Sequence, residues 1–238
     1  MKMFTEQVFF MDELQKKITD AILEQIKAGR EGKSFEKELV KKAIAVYVDI
    51  GLIKPRPMRT PDGLFLWQGD RSLSEYETHF ETAFLDSTLK QSMQSAKMWN
   101  STRNCPEYLR EVQQFLMNEE SNADYYLQPE TKIKLLKIVE DEMITKMADS
   151  VSSKDTGCVH MFEQKNLDEL KLLFEVFRRD TSTFGLIIQK MNPYIMSRGE
   201  RIVMDETNVK DPVLFAEKLL EFKAEIDELV SYSFSNQL

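Results

Sequence analysis

Residues 107–150 read EYLREVQQFLMNEESNADYYLQPETKIKLLKIVEDEMITKMADS, and after a spacer residues 166–176 read NLDELKLLFEV. Three amphipathic helices are written there. Tyr108, Val112 and Phe115 fall on one helical face with Leu109 and Leu116 beside them, while Glu107, Arg110, Glu111 and Gln114 take the other. Ile133, Leu136, Val139, Met143 and Met147 recur at steps of three and four, with Lys132, Lys134, Lys137, Glu140 and Asp141 between them. This predicts one buried stripe and one wet face. Leu170, Leu173, Phe174 and Phe177 follow the i, i+3, i+4, i+7 template.

The same template recurs on both sides of this stretch. Phe215, Leu219, Phe222, Ile226 and Leu229 predict a helix near the C-terminus; Leu14, Ile18, Ile22 and Ile26, then Leu39, Ala43, Val46 and Ile50, predict two more near the N-terminus. No comparable period-two run occurs. Asp211-Pro212, Gln128-Pro129 and the pair Asn104 and Pro106 mark helix starts, because a first-turn proline gives up an N–H that has no intrahelical partner. Asn166 and Glu169 have capping-box spacing. Gly29 and Gly199 sit where helices should stop, and Asn192-Pro193 should break or kink the run from Phe184 to Met196. These signals predict about seven to nine helices.

Composition sets the bounds. The chain has 238 residues, of which 42 % are hydrophobic, with only 8 Gly and 7 Pro. That is enough for one or two packed domains of regular structure. A net charge of −8 with 30 % charged residues describes an acidic surface that a nucleic-acid backbone would repel. No apolar run approaches the roughly 20 residues needed to span a bilayer, and the N-terminus, MKMFTEQVFFMDEL, is too short and acidic for a signal peptide. Two cysteines, Cys105 and Cys158, make neither a disulfide framework nor a zinc framework. A cytoplasmic or nuclear location, with neither nucleic acid nor membrane as a partner, is the expectation.

Residues 53–72, IKPRPMRTPDGLFLWQGDRS, hold three of the seven prolines and two of the eight glycines, so an exposed connection is expected there. Its apolar tetrad Leu64-Phe65-Leu66-Trp67 either tucks onto a neighbouring helix or serves as a hook for a partner.

Catalytic patterns are scarce. Gly29-Arg30-Glu31-Gly32-Lys33-Ser34 imitates a phosphate-binding loop, but it has two residues between its glycines instead of four and follows a helix instead of a strand; it reads as a helix-to-helix turn. His79 and His160 lack a zinc-protease context, and Cys158-Val159-His160 is too tight for a usual zinc pair. Glu119-Glu120, Asp141-Glu142 and Asp168-Glu169 read as carboxylates on solvated helix faces. Asn100-Ser101-Thr102 fits a glycosylation sequon by chance, and the thirteen methionines read mostly as core filler. No catalytic, cofactor-binding or metal-ligating residue is assigned. A bundle-type enzyme would need Glu-x-x-His spacing, which neither histidine has.

Several stretches resemble the cullin repeats of ubiquitin-ligase scaffolds. Tyr108, Leu109, Val112, Glu119 and Glu120 are similar to that family's Tyr-φ-x-x-φ helix with its acidic end. Tyr126, Leu127 and Thr131 match its Tyr-Leu-x-x-x-Thr junction, and Glu142, Ile144 and Lys146 its Glu-x-φ-Ile-x-Lys helix end. Phe80-Glu81-Thr82-Ala83-Phe84-Leu85 resembles a Phe-Glu-x-x-Phe-Leu segment, Asp168-Glu169-Leu170 through Phe177 a helix of the third repeat, and Asp211-Pro212 with Ser231 to Asn236 an Asp-Pro helix and Ser-Phe-Asn-Asn ending. Gly157-Cys158-Val159-His160-Met161-Phe162 and Phe4-Thr5-Glu6-Gln7-Val8 look like stretches of the cullins that take BTB-domain adaptors, so His160 identifies a subtype and is not a ligand.

The resemblance implies an all-α fold, an elongated stack of cullin-repeat helical bundles forming an α-solenoid-like stalk. Residues 1–33 would end a first repeat, 34–155 would form a second with the 53–72 insert, and 156–238 a third. It further implies a non-catalytic scaffold of a cullin-RING E3 ubiquitin ligase that spaces a substrate adaptor from the RING end. A BTB-type adaptor would bind through helices of the first repeat that are mostly absent here, and the RING subunit through a C-terminal region also absent, so the sequence reads as a fragment or a truncated product. The alternative is a helical rod of a vesicle-tethering, exocyst-like complex. The apolar end at Phe4, Val8, Phe9 and Phe10 is expected to drive self-association.

Overall fold

The computed structural model describes residues 12–52, 56–59, 65–68 and 73–233. Among them run eleven helical stretches and one β-hairpin. Helix α1 is Asp12–Arg30 and α2 Lys37–Leu52; strands β1 (Arg56–Arg59) and β2 (Phe65–Gln68) follow. Helix α3 is continuous through Ser74–Tyr76, a π turn at Glu77–Glu81, and Thr82–Thr102. Helix α4 is Cys105–Tyr126, and α5 joins Pro129–Glu140 to a second π turn, Asp141–Thr145. The short α6 (Ala148–Ser152) and α7 (Cys158–Glu163) precede α8 (Leu167–Phe177) and α9 (Thr181–Met204). Helices α10 (Glu206–Lys210) and α11 (Pro212–Tyr232) end the described chain. The helices beyond the expected seven to nine are the short ones, which carry too few residues to show a period.

Contacts divide the chain into two units, residues 1–91 with 115–138, and 92–114 with 139–238. In the first, Ile22 and Ile26 of α1, Val40, Ile44 and Tyr47 of α2, Tyr76, Phe80 and Phe84 of α3, and Leu116 and Leu135 are buried. Ring centroids lie 5.4 Å apart for Tyr76 and Phe80 and 5.5 Å for Phe80 and Phe84, spacings at which aromatic pairs attract. In the second unit Tyr108, Leu109, Val112, Met143, Ile144, Leu170, Leu173, Phe174, Phe177 and Ile187 are buried.

The α4 and α8 stripes are buried as their periodicity predicts. Others are not. In α2 the buried side chains are Val40, Ile44 and Tyr47, whereas Leu39 and Val46 are exposed. The two stripes differ by one position and have the same period; the observed one buries Tyr47, whose hydroxyl meets Thr19 Oγ1 at 2.8 Å. In α5 Val139 and Met143 of the expected stripe are buried, but ahead of them the buried line passes through Thr131 and Leu135, and Ile133 is 70 % exposed. In α11 Leu229 is buried, but Leu219 and Leu220 are exposed. The π turns each add a residue to one helical turn, so the consecutive pair Phe80 and Glu81, and the run Glu142 to Ile144, are buried together.

Helix ends follow the sequence in part. Asp211 caps α11 through Val213 and Leu214 N–H groups, with Pro212 in the first turn. Asn104 and Glu107 exchange side-chain bonds with each other's N–H, a capping box at α4. The expected box at Asn166 does not form: its amide donates to the Glu169 carboxylate at 3.5 Å and leaves the N–H groups alone. The stop expected at Gly29 falls three residues later. Gly32 has φ +74°, its N–H donates to Gly29 O, and Lys33 N–H donates to Ala28 O, the two bonds of a Schellman cap. Gly29 stays inside α1 with the Phe35 ring where a Cβ would stand.

Gly199 is no stop either; it lies within α9, beside Phe222. Pro193 does not end that helix, because tertiary contacts flank it: Ile187 and Met191 are buried and Tyr194 meets Phe162 edge to face at 5.5 Å. The 53–72 insert is not wholly irregular, since β1 and β2 pair antiparallel within it. The expectations for Phe4 to Phe10, Leu64 and the Asn236 end lie outside the described residues.

Candidate functional site

The phosphate-loop imitation proves to be the place where α1 anchors to α4. Arg30 Nε donates to Glu119 Oε1 at 2.8 Å and its Nη2 to Oε2 at 2.5 Å. Both side chains are 3 % exposed. The same guanidinium donates to Thr88 Oγ1 at 2.9 Å and Gln91 Oε1 at 3.1 Å, and its carbon stands 5.5 Å from the Phe84 ring centre. A planar fork is suited to this many partners. Arg30 is therefore committed to a carboxylate. Lys33, the other cation of the imitation, pairs with Glu31 on the surface.

Glu119 corrects the expectation that the carboxylate pairs line solvated faces. So does Glu142, buried and paired with Lys146 at 2.5 Å. Glu81, which belongs to none of those pairs, is also buried, in a chain of bonds. Tyr76 OH donates to Thr131 Oγ1 at 2.9 Å, Thr131 Oγ1 to Glu81 Oε1 at 2.7 Å, and Lys134 Nζ to Glu81 Oε2 at 2.7 Å. Burial pushes the Tyr76 phenol up to about 12, so it stays a neutral donor. The motif residues Glu81 and Thr131, 50 positions apart, are thus bonded to each other, and motif residue Tyr108 donates to Met143 O at 2.7 Å. Nothing in the sequence announced the Arg30–Glu119 pair, whose members stand 89 positions apart.

His79 Nε2 lies 3.4 Å from Glu75 Oε2 within one helix, and His160 is exposed on α7. Cys105 and Cys158 are fully buried; burial, then the neighbouring Cys158, pushes the Cys105 thiol up to about 12, and burial raises Cys158. In both, burial disfavours the thiolate. Gly157 is required: a Cβ there would stand 2.1 Å from Ser152 O. Asn100, the sequon residue, donates its side-chain amide to Ser150 Oγ at 2.8 Å. Among the described residues no three His, Cys, Asp or Glu side chains gather as a metal site would need, and no helix is long and apolar enough to cross a membrane.

What the motif residues share is packing and mutual bonding, the signature of a family frame. The family profile described as the Cullin alpha solenoid domain matches residues 1–238. The chain belongs to the cullin family. Among curated proteins it is similar to Cullin-3A of Arabidopsis thaliana, 22 % identical over 99 % of this chain and 30 % of the relative. It is also similar to Cullin-3 of Dictyostelium discoideum, 22 % identical over 98 % and 28 %, and to Cullin-3 of Caenorhabditis elegans, 27 % identical over 92 % and 27 %. This cullin chain therefore spans under a third of the length of these relatives. The all-α solenoid class agrees with the helical reading of the sequence.

Proposed function

We infer that the chain is a non-catalytic stalk segment of a cullin-RING E3 ubiquitin ligase, setting the distance between a substrate adaptor and the ubiquitin-charged end. The observation that carries this is the family match over all 238 residues, reinforced by relatives that bear the cullin-3 name. The three-repeat division at residues 33 and 155 and the assignment to BTB-type adaptors belong to this reading, as do a RING subunit engaged through a further region and a cytoplasmic or nuclear location.

Its mechanism is geometric. A spacer accelerates transfer by raising the effective concentration of two tethered ends, and that gain is lost where the linker yields or cannot span the gap. Resistance to bending comes from close-packed helices and from polar groups that have one satisfied arrangement. The Arg30 fork, with four bonds to Glu119, Thr88 and Gln91, is such an arrangement.

The test is a pull-down of BTB-domain adaptors by this chain and by a form extended at the N-terminus through a complete first repeat. Retention by the extended form is the expected result. Retention by neither form would overturn the adaptor assignment.

A further inference from the structure

Helix α11 is rich in apolar side chains, yet only Leu229 of its 21 residues is buried. The side that carries Leu229 packs on α8 and α9. On the opposite side Val213, Ala216, Leu220 and Ala224 recur at steps of three, four and four, and all four are exposed, Leu220 by 65 %. Apolar residues at that spacing form the face that a helix normally buries. Alanines between two larger side chains leave holes that the knobs of a facing helix can enter. A stripe of this kind left in water marks a surface that another element covers.

Charge indicates what covers it. Glu217, Glu221 and Glu228, at steps of four and seven, run along one flank of the stripe. Lys218 pairs with Glu221 at 2.8 Å and Lys223 with Asp227, while Glu217 and Glu228 have no ion pair among the described residues. The cations of α9 stand on the inner side: Arg198 pairs with Glu225 at 2.9 Å, and Arg201 lines the groove between the two helices with Ile202 and Phe222. An acidic flank repels nucleic acid and anionic lipid, and a second copy laid antiparallel on this face would set the flank against itself. We propose that the outward face of α11 is a docking surface for an amphipathic helix of a partner protein, whose apolar stripe meets Val213 and Leu220 and whose basic flank meets Glu217 and Glu228. In helix-on-helix docking the apolar anchors supply affinity and the flanking charges select the partner. The site does not depend on the ligase reading.

The test uses the full chain and two fluorescein-labelled helical peptides with the same stripe of Leu and Ala, one flanked by Lys and one by Glu. Anisotropy should rise with the Lys peptide alone. Leu220→Asp should weaken that binding by about tenfold, the equivalent of about 1.4 kcal/mol, whereas attraction by charge alone would grow with the added carboxylate. Ile133→Lys, at an exposed apolar position of the other unit, should leave binding unchanged. Unaltered circular dichroism verifies that Leu220→Asp folds. Should it not fold, Glu217→Lys with Glu228→Lys serves, and is expected to transfer preference to the Glu peptide. Equal binding of the two peptides, undiminished binding by Leu220→Asp, an equal loss in Ile133→Lys, or a preference unmoved by the charge reversal would overturn the proposal. So would self-association in sedimentation that Leu220→Asp abolishes, which would assign the face to a second copy.

Discussion

Two regions hold together by different chemistry: the core around α1 and the start of α3 in the first unit, and the buried face of α8 in the second. The second unit buries polar groups elsewhere, Glu142, Ser152 and Thr183 among them. In residues 1–91 with 115–138, buried polar groups are threaded through the apolar ones: the Arg30–Glu119 pair, the Tyr76–Thr131–Glu81 chain, and Thr19, which meets the Tyr47 hydroxyl and donates to His79 O at 2.9 Å. The packing of α8 in the second unit is dry, with Leu170, Leu173, Phe174, Val176 and Phe177 on one eleven-residue helix. A dry core tolerates any arrangement that fills its volume, whereas a buried charge pair tolerates only the arrangement that satisfies it. The first region should therefore be the more sensitive to single polar substitutions, and the α8 face to lost volume.

The comparison breaks most easily at Glu119. Glu119→Ala strands the Arg30 guanidinium in a buried site and should cost about 3–5 kcal/mol, read as a fall in the denaturation midpoint; replacing Arg30 and Glu119 together by Met and Leu should recover most of it. A loss under 1 kcal/mol for the single variant would show the pair to be solvated.

Leu173→Ala in the dry core should cost about 2–5 kcal/mol through transfer and cavity terms together. Its partial rescue by neighbouring larger side chains, and the absence of any pH dependence, would distinguish it from the first.

The third prediction concerns alkali. The Tyr76 phenol is raised by burial to about 12 from 10.0, so the folded state holds its proton where the unfolded state has lost it. That stability is complete below pH 10 and declines as pH rises through about 12, by on the order of 2–3 kcal/mol. Tyr76→Phe should flatten this part of the alkaline limb, and absorbance titration at the tyrosinate band should show one fewer late-ionising group. An unchanged limb would place the loss on other buried phenols.

Asp211→Ala removes a cap that takes two N–H groups and should cost about 1 kcal/mol, measurable as loss of helix at the end of α11. Smallest of all, Ile133→Lys on the exposed face of α5 should change stability by less than about 0.5 kcal/mol, although its spacing would put Ile133 in the core.

Much of the frame could be read in the residues themselves. Tyr108 to Leu116 and Leu170 to Phe177 are buried as spaced because in each case a single stripe is apolar and its opposite face charged. The start of α11 was legible because Asp-Pro has one use at a helix terminus. In α2, by contrast, Leu39, Val40, Ala43, Ile44, Val46 and Tyr47 supply two stripes of equal period, and no local rule separates them. Among the candidate sites, the faulty phosphate loop was correctly read as a turn, yet its arginine had to be seen folded to reveal what it holds.

A linear reading was enough for the all-α class, for the helix starts at Asp211-Pro212 and Asn104 and for membership of the cullin family, since periodicity and motif spacing are local properties. Tertiary structure alone decided which stripe of α2 and α5 is inside, that α9 continues through Pro193, and that Glu119 faces Arg30 and not water. Those outcomes depend on what packs opposite each face, and a partner 89 positions away leaves no trace in the spacing of either residue's neighbours.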